Sequence, residues 1–273
     1  MEKLSEAMLK VIPGTRPENS ASSSGVKICP DCGAELTLMT IQGLTRVITR
    51  YPTCECVIER RRREEEERKR REKQVLIDRL FKNSGLGPRF ELCRLDNFEV
   101  LKGTEAAHRT AAAYIQNIAT AIREGRGFLL FGPPGNGKSH LAAAVVNAAL
   151  ALGYTAIFER VPKLLAKIRA TYRESSTVTE DEIMRALTQA DLLVLDDAGA
   201  EKWTQWTEPT LYTIVDERYS YNKALIITTN SSLEQLEEKI GARAMDRILE
   251  MCDIVENRGE SYRKMKAKKR RQP

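Results

Sequence analysis

The stretch Gly-Pro-Pro-Gly-Asn-Gly-Lys-Ser at 132–139 constrains the fold more than any other part of the chain. It matches the pattern G-x-x-x-x-G-K-[ST], follows the apolar run at 128–131 and precedes an apolar helical pattern. A strand, a glycine-rich turn and a helix in that order form a loop whose backbone N–H groups bind phosphates. The predicted nucleotide-binding residues are Gly132, Pro133, Pro134, Gly135, Asn136, Gly137, Lys138, Ser139 and His140.

Within this loop, two side chains have predicted roles. Lys138 is expected to reach the β- and γ-phosphates of the nucleotide, and Ser139 is expected to ligate Mg²⁺. The apolar helix that follows needs cover on most of its sides, so it is predicted to lie in the core.

Short apolar runs alternate with helical patterns through the rest of the chain. The runs are 128–131, 155–159, 191–197, 224–230 and 253–256. Strands that alternate with crossover helices form a parallel sheet with helices on its faces. The predicted fold class is therefore α/β, with a parallel five-stranded sheet.

Two adjacent carboxylates, Asp196 and Asp197, end the third of these runs. In a doubly wound sheet the carboxyl end of a buried strand lies close to the phosphate loop. Asp196 is predicted to hold Mg²⁺ through water, and Asp197 is predicted to orient or deprotonate the attacking water. The alternative is that the acidic pair only caps a helix or sits in a solvated turn.

Four cysteines near the N-terminus have the spacing of a metal site. Cys29 and Cys32 form a C-x2-C pair, and Cys54 and Cys56 form a C-x-C pair 21 residues later. Four thiolates on two tight turns suit tetrahedral zinc in a closed, structural site. The β-branched alternation at 36–50 predicts a hairpin between the two pairs. The alternative is four unrelated thiols.

The sequence gives no sign of a membrane segment. No apolar run approaches the roughly 18–20 residues that span a bilayer, and the first residues lack the apolar core of a signal peptide. A soluble, cytoplasmic protein is expected. In that compartment cysteines are more often metal ligands or free thiols than disulfides.

The first 25 residues combine a helical pattern with linker composition. Residues 2–12 have apolar positions on one helical face, and residues 14–25 have the Ser- and Gly-containing composition of a linker. The short helix is expected to dock either on the protein's own body or on a partner.

A block of charge follows the second cysteine pair. Residues 59–73 carry nine basic and six acidic side chains, with Glu65–Lys69 and three neighbouring pairs at i,i+4 spacing. This pattern predicts a helix that is polar all round, acting as a strut between domains. The alternative is a nucleic-acid contact by Arg60–Arg63. Apolar residues resume at Val75, Leu76, Leu80 and Phe81, where the helix is expected to begin packing.

The net charge of +6 is local. The tail after Tyr262 carries seven basic residues and no acidic one, which leaves −1 for the rest of the chain. Residues 264–273 are therefore interpreted as a basic tail that either contacts phosphates or is simply solvated.

The motifs together resemble a known family. The stretches GPPGNGKSHLA, LLVLDDAGAEKWTQW, YTIVDERY, IITTN and GESYR are similar to the AAA+ ATPases that load the replicative helicase, the DnaC- and DnaI-like proteins. Their sister group is the IstB-like helper ATPase of insertion-sequence transposition. The resemblance covers roughly residues 86–263, and the cysteine region is similar, more weakly, to the zinc-bearing region of Gram-positive-type loaders.

The resemblance implies further roles for residues of this chain. By this resemblance, Asn230 corresponds to the polar residue that senses the γ-phosphate, and Arg263 corresponds to the second sensor arginine. Arg243 becomes the arginine finger supplied to a neighbouring subunit, with Arg247 as second choice. An arginine supplied in trans would complete charge neutralisation in the transition state.

The insertion at 161–187 is longer than a crossover requires, and in related loaders and initiators this region touches single-stranded DNA. The candidate DNA-binding residues are Lys163, Lys167, Arg169, Tyr172 and Arg173, which combine basic charge with one stacking ring. The alternative is an ordinary solvated helix face. Trp203 and Trp206 are interpreted as packing or intersubunit contacts.

We expect the chain to be divided into four segments. Residues 1–57 form a zinc-binding, helicase-interaction region, 58–85 a charged helical linker, 86–263 an AAA+ ATPase domain, and 264–273 a basic tail. The resemblance implies an ATP-dependent loader that binds ATP, Mg²⁺ and Zn²⁺, self-associates, and places the hexameric replicative helicase on single-stranded DNA. The alternatives are a transposition helper that binds DNA and recruits a transposase, and a scaffold that binds ATP only as a ligand.

Overall fold

The computed structural model describes residues 26–42, 47–200 and 204–271. The chain divides into two compact units, Met1–Lys69 and Arg70–Pro273. This boundary falls inside the segment 58–85 that the sequence marks as a linker. The helical pattern at 2–12, the linker composition at 14–25 and Trp203 lie outside the described residues. Within the described ranges, no helix is long and apolar enough to cross a lipid bilayer.

Two antiparallel hairpins form the described part of the first unit before its helix. Strands β1 (Val26–Ile28) and β2 (Glu35–Thr37) pair around the first two cysteines, and β3 (Met39–Gln42) pairs with β4 (Val47–Arg50). The second hairpin lies within the predicted range 36–50. The first was not predicted, because three-residue strands leave almost no alternation to detect. Neither hairpin buries an apolar layer: Ile28 and Val47 are exposed.

The charge block forms the first half of a long helix, α1 (Glu55–Leu80). The predicted pair Glu65–Lys69 is present at 3.4 Å, and Arg68 also contacts Glu65, at 2.7 Å. Arg63 pairs with Glu59 at 2.5 Å in the same i,i+4 geometry. Exposed pairs of this kind favour helix by a few tenths of a kcal/mol each and anchor it to nothing.

The packing face of α1 differs from the expected one. Val75, which was expected to pack, is 68% exposed, whereas Ile77 is 1% exposed and lies in the core of the second unit together with Phe81. Leu76 and Leu80 are partly buried against the same core. The prediction for Val75 was wrong because five apolar residues within seven positions do not specify which of them faces the body.

The second unit alternates helices and strands, as the sequence predicted. Its strands are β5 (Gly127–Phe131), β6 (Ala156–Arg160), β7 (Leu192–Ala198), β8 (Ala224–Thr229) and β9 (Cys252–Glu256). Its helices are α2 (Pro88–Glu91), α3 (Glu105–Gln116), α4 (Ile118–Arg123), α5 (Lys138–Ala151), α6 (Val161–Ala170), α7 (Glu180–Gln189), α8 (Thr207–Ser220), α9 (Leu233–Ile240), α10 (Ala242–Met251) and α11 (Tyr262–Arg271). Every strand lies within one residue of its predicted bounds.

The five strands form one parallel sheet in the order β6-β7-β8-β5-β9. The predicted fold class is confirmed. Because all strands point the same way, the loops after β5, β7, β8 and β9 emerge at one edge. Strand β5 lies between β8 and β9, so the phosphate loop is flanked by the ends of both.

Both faces of the sheet are covered. Along β5, Leu129 belongs to one apolar core, and Phe128 and Leu130 belong to the other. Alternate side chains of a strand point to opposite faces, so a strand buried on both sides is apolar throughout. Helix α5 lies in the second core, with Leu141 and Val145 fully buried, which explains why it is apolar all round.

A fully buried arginine connects the helix before β7 to the start of β8. Arg218 on α8 donates to the carbonyl oxygens of Leu187 at 2.8 Å and Ala190 at 2.6 Å, and also to that of Ala224. Burial lowers its pKa to about 9. These bonds satisfy carbonyls that the end of α7 leaves without helical partners. Arg218 lies in the stretch YTIVDERY that contributes to the family resemblance, but no role was predicted for it.

The basic segment at the C-terminal end is helical in the described residues. Helix α11 begins at Tyr262, inside the stretch GESYR, and extends to Arg271. Residues 264–273 were predicted to form a basic tail, with no helix. Runs of Lys and Arg are good helix formers when a cap starts the helix, and here Ser261 accepts from the N–H of Lys264 at 3.4 Å.

We expect Ile77→Ala to lower the free energy of unfolding by about 2–5 kcal/mol, because it removes a fully buried branched side chain. The matched change Val75→Ala, two residues away on the same helix, should stay within about 0.5 kcal/mol of the wild type. Urea denaturation followed by circular dichroism compares the two. Equal losses would show that Val75 packs as the sequence pattern suggested.

Candidate nucleotide and zinc sites

The phosphate loop is held tightly by the segment that follows β9. The side chain of Asn136 donates to the carbonyl oxygen of Asn257 at 2.6 Å, and that of Asn257 donates to the carbonyl oxygen of Asn136 at 3.2 Å. A Cβ on Gly132 would lie 2.2 Å from the Asn257 oxygen, and one on Gly135 would lie 2.3 Å from Oγ of Ser261. Glycine is therefore required at both positions by neighbouring protein as well as by any phosphate. No role was predicted for Asn257 from the sequence.

Lys138 is folded onto its own loop. Its Nζ donates to the carbonyl oxygens of Gly132 and Pro133, each at 2.8 Å, and to Oδ1 of Asn136 at 3.2 Å. Burial lowers the pKa of Lys138 to about 8; the negative charges of Asp197 and Asp196 oppose this shift, and the positive charge of Arg263 adds a smaller effect in the same direction as burial. A polyphosphate bound here would place negative charge next to the buried ammonium group and favour its charged form.

Asp196 occupies the position expected of a magnesium-site residue. It is buried, it accepts from Oγ1 of Thr228 at 2.7 Å, and it also accepts from the hydroxyl of Ser139. Burial raises the pKa of this carboxyl, an effect that the two hydrogen bonds oppose. Arg160 approaches it at 3.7 Å. A hydroxyl and a carboxylate oxygen in contact are ligands that suit Mg²⁺.

The strand is irregular at Asp197, which departs from the regular alternation of side chains. The pairing of β7 with β8 shifts register between Leu195 and Ala198, and Asp197 has a φ of 60°. Its carboxylate accepts from Nδ2 of Asn230 at 2.5 Å. The structure therefore brings together the residues expected to orient water and to sense the γ-phosphate.

The side chain of His140 is turned away from the loop. Its Nε2 lies 2.9 Å from the carbonyl oxygen of Arg94, and its ring packs edge-on against Phe98 at a centroid distance of 5.4 Å. The prediction of a nucleotide contact therefore does not extend to the imidazole, which supports the wall of the site. Phe98 also stacks on His108, with the ring centroids 5.6 Å apart.

The two candidate arginine fingers are in different situations. Arg243 is exposed near the start of α10. Arg247 forms an ion pair with Asp216 at 2.6 Å, lies 4.8 Å from the ring centre of Tyr212, and is 24% exposed. An arginine held by its own subunit cannot also reach a neighbour's nucleotide, so the geometry favours Arg243.

The candidate DNA-binding residues separate into two groups. Nζ of Lys167 contacts Glu159 at 3.2 Å and the carbonyl oxygen of Leu80 at 2.9 Å, and it lies 3.8 Å from the ring centre of Phe81. Lys167 neutralises the buried Glu159, which leaves its ammonium group less available for DNA than the prediction assumed. Lys163 pairs with Glu159 at 2.9 Å but stays largely exposed.

Arg169 and Tyr172 form an aromatic cluster with Trp206, while Arg173 is exposed beside them. The Arg169 guanidinium lies 4.7 Å from the Trp206 ring centre, and Trp206 Nε1 donates to the Tyr172 hydroxyl at 3.1 Å. Tyr172 is 56% exposed. The packing role expected of Trp206 fits these contacts.

The four N-terminal cysteines come together as the spacing predicted. Their sulfur atoms all lie within 4.8 Å of one another, with Cys29–Cys56 at 3.5 Å, and Cys32–Cys54 and Cys54–Cys56 at 3.4 Å. Four sulfurs about 2.3 Å from a tetrahedral zinc would be separated by about 3.8 Å. The cluster is therefore the right size for zinc with little adjustment.

The first cysteine turn also stabilises a thiolate. Backbone N–H groups of Asp31 and Cys32 face the sulfur of Cys29 and lower its pKa to about 7. The turn is closed by Gly33, which has a φ of 73° and donates to the carbonyl oxygen of Cys29 at 2.9 Å. Zinc binds thiolates, so these donors are the support that a metal site needs.

Sequence comparison finds similarity to known ATP-binding proteins and helicase loaders. The family model described as IstB-like ATP binding protein matches residues 63–271. The chain is 31% identical over 173 residues to the replicative helicase loader DnaC of Escherichia coli (strain K12), which covers 63% of this chain and 69% of that protein.

Solved structures agree with this assignment. The crystal structure of the DnaC helicase loader superposes with a TM-score of 0.57 at 26% identity, covering 63% of this chain and all of that one. The replication initiator DnaA bound to AMPPCP and single-stranded DNA has a TM-score of 0.55 at 23% identity, covering 67% and 56%, which shows the shared fold. The chain belongs to the IstB-like ATP-binding protein family and is an AAA+ protein of the DnaC-like loader type.

Proposed function

We propose that this protein is an ATP-dependent loader of the replicative DNA helicase onto single-stranded DNA. The observation that carries the proposal is the convergence of Lys138, the Ser139–Asp196 pair and the Asp197–Asn230 pair at one sheet edge. The relation to DnaC loaders supplies the biological context. Cytoplasmic action and self-association through the AAA+ unit are parts of the same proposal.

The geometry supports an ATP switch. Lys138 would exchange its bonds to the loop carbonyls for bonds to the β- and γ-phosphates. Ser139 and Asp196 would hold the metal ion, which would supply positive charge to the phosphates. Asn230 fixes the Asp197 carboxylate, which would orient the attacking water. Arg243 from a neighbouring subunit would supply the remaining positive charge, so hydrolysis would depend on assembly.

The first unit is proposed to bind zinc and, through it, to present the helicase-binding surface. Two hairpins without an apolar layer cannot hold themselves together. A structural zinc contributes on the order of 10–16 kcal/mol to such a fold. Four cysteine ligands leave no open coordination position, so the metal would have a structural role.

The single-stranded DNA contact is assigned to Lys163, Arg169, Tyr172 and Arg173 on and after α6. A partly exposed ring among basic side chains is the usual means of holding single strands without sequence preference. Lys167 is left out because it pairs with Glu159 inside the protein.

We expect the purified protein to contain stoichiometric zinc, and we expect Cys29→Ala together with Cys32→Ala to abolish it, because half the ligands are lost. Elemental analysis of freshly purified protein measures the ratio. The matched control is Cys93→Ala, a cysteine outside the cluster, which should keep its zinc. Zinc-free wild-type protein would contradict the assignment.

Co-purification with the replicative helicase tests the function itself. The full-length protein should retain the helicase, and the double cysteine variant should lose it while still binding an ATP analogue. Lys138→Ala should keep helicase binding but lose nucleotide binding and loading, since the ammonium group no longer meets the phosphates. Full loading activity in Lys138→Ala would contradict the ATP switch.

Subunit mixing tests the arginine finger. Arg243→Ala should lower ATP hydrolysis by about 10³-fold or more, the usual effect of losing a finger, and Lys138→Ala should abolish hydrolysis together with nucleotide binding. A mixture of the two should recover part of the activity, because an intact Lys138 site can receive Arg243 from the other subunit. Arg247→Ala should give no such complementation. The absence of recovery in both mixtures would place the finger elsewhere.

A transposition helper is the second candidate, and the family model favours it directly because the matching family is IstB-like. Such a protein would bind DNA and recruit a transposase in place of a helicase. Pull-down with each partner separates the two functions. The third possibility, a scaffold that only binds ATP, predicts no hydrolysis under any condition of assembly.

A further inference from the structure

Helix α11 carries a concentration of positive charge that the proposed function does not use. Seven of its ten residues are basic and none is acidic. Lys264, Lys266, Lys268, Lys269 and Arg270 are all exposed. In the part of the chain that the structure describes, none of these five forms an ion pair.

The contrast with α1 shows that exposed basic residues of this protein can form ion pairs where acidic residues stand nearby. On α1, Arg63 is paired with Glu59 and Lys69 with Glu65, because acidic residues stand one turn away. Helix α11 has no acidic residue at any spacing. Like charges at i,i+4 destabilise a helix, so an unneutralised run of this kind is best explained by an anionic partner.

The start of α11 is fixed to the phosphate loop. The N–H of Tyr262 donates to the carbonyl oxygen of Gly135 at 2.9 Å, and Ser261 lies against the same glycine. The N–H of Met265 donates back to the carbonyl oxygen of Ser261 at 3.0 Å, which closes the first turn. Arg263, in that first turn, is close enough to influence the pKa of Lys138.

We propose that α11 binds the phosphate backbone of a nucleic acid, and that ATP in the adjacent loop strengthens this binding. A phosphate chain between Lys138 and Arg263 would fix the first turn and with it the direction of the helix. The proposal rests on the proposed function for the ATP site, while its nucleic-acid contact is separate from Tyr172 and its neighbours.

The composition of α11 favours a nucleic acid over a membrane surface as its binding partner. Basic side chains surround α11 on all sides, and its apolar residues besides Tyr262 are Met265, which is partly buried, and Ala267. A membrane-surface helix needs an apolar face with large side chains, and α11 has none. A backbone of regularly spaced phosphates requires only charge at close range.

The test removes the distal charges and leaves Arg263 intact. The variant carries Lys266→Gln, Lys268→Gln, Lys269→Gln and Arg270→Gln. The matched control removes the same charge from exposed positions elsewhere on the second unit: Arg109→Gln, Arg123→Gln, Arg126→Gln and Arg185→Gln. Both are made in the full chain, and circular dichroism together with binding of an ATP analogue verifies that each folds.

The measurement is the affinity for labelled oligothymidylate and for a duplex oligonucleotide across a series of KCl concentrations, with and without a non-hydrolysable ATP analogue. The logarithm of the binding constant falls linearly with the logarithm of the salt concentration, and each lost phosphate contact makes this slope shallower by about 0.7 on single strands. The α11 variant should lose about tenfold or more in affinity, and its slope should fall by up to about 3. The control should match the wild type.

The outcomes separate the two proposals. Wild-type affinity and slope in the α11 variant, with a loss in Tyr172→Ala, would overturn the α11 proposal and leave the loader proposal standing. If the wild-type protein binds neither probe, both the α11 proposal and the proposed single-strand contact are overturned. Co-purification with the helicase would still test the loader proposal independently. Equal wild-type affinity with and without the ATP analogue would overturn the coupling.

Discussion

The paired hydrogen bonds between Asn136 and Asn257 are the interaction on which the nucleotide site depends. They join a loop that follows β5 to a segment that follows β9, 121 residues later in the chain. The parallel pairing of β5 with β9 brings the two together, because both strands end at the same edge of the sheet. The glycines of the loop are thereby required twice, once for close approach to phosphate and once because Gly132 lies against the Asn257 carbonyl. The order of the strands in the sheet therefore helps to determine which residues the phosphate loop can contain.

A single threonine sets the arrangement of the two acidic residues. In a regular strand, neighbouring side chains point to opposite faces, which would place one carboxylate far from the nucleotide. The register shift in β7 and the left-handed conformation of Asp197 change this. The Thr228 hydroxyl donates to Asp196 Oδ1 at 2.7 Å and accepts from the backbone N–H of Asp197 at 3.0 Å. A non-glycine residue held at positive φ costs on the order of 1–3 kcal/mol, which the surrounding sheet must sustain. Backbone strain here turns consecutive carboxylates into two separate chemical positions.

The features that could be predicted from the sequence are those encoded locally. The phosphate loop, the five strands and the cysteine pairs each have a spacing that physical chemistry can interpret within a few residues. Asn257 has no such signal, since its partner lies far away in the chain and only the strand order brings them together. Lys167 resembles its exposed neighbours in sequence, yet Glu159 on the preceding strand is buried and requires a counter-charge. Val75 and Ile77 differ only in helical phase, and the body they pack against determines which one is buried. The contacts that could not be predicted are those between residues far apart in the sequence.

Charge shows the same limit. Helices α1 and α11 are both rich in Lys and Arg, so the number of basic residues alone makes both candidates for an anionic partner. Their difference lies in what stands three or four residues away: acidic side chains on α1 and further basic ones on α11. Because the seven basic residues after Tyr262 exceed the whole net charge of +6, the rest of the chain sums to −1. The positive excess of this protein therefore belongs to a helix that starts at the nucleotide loop, where an anionic ligand and an anionic partner would be bound by one continuous segment.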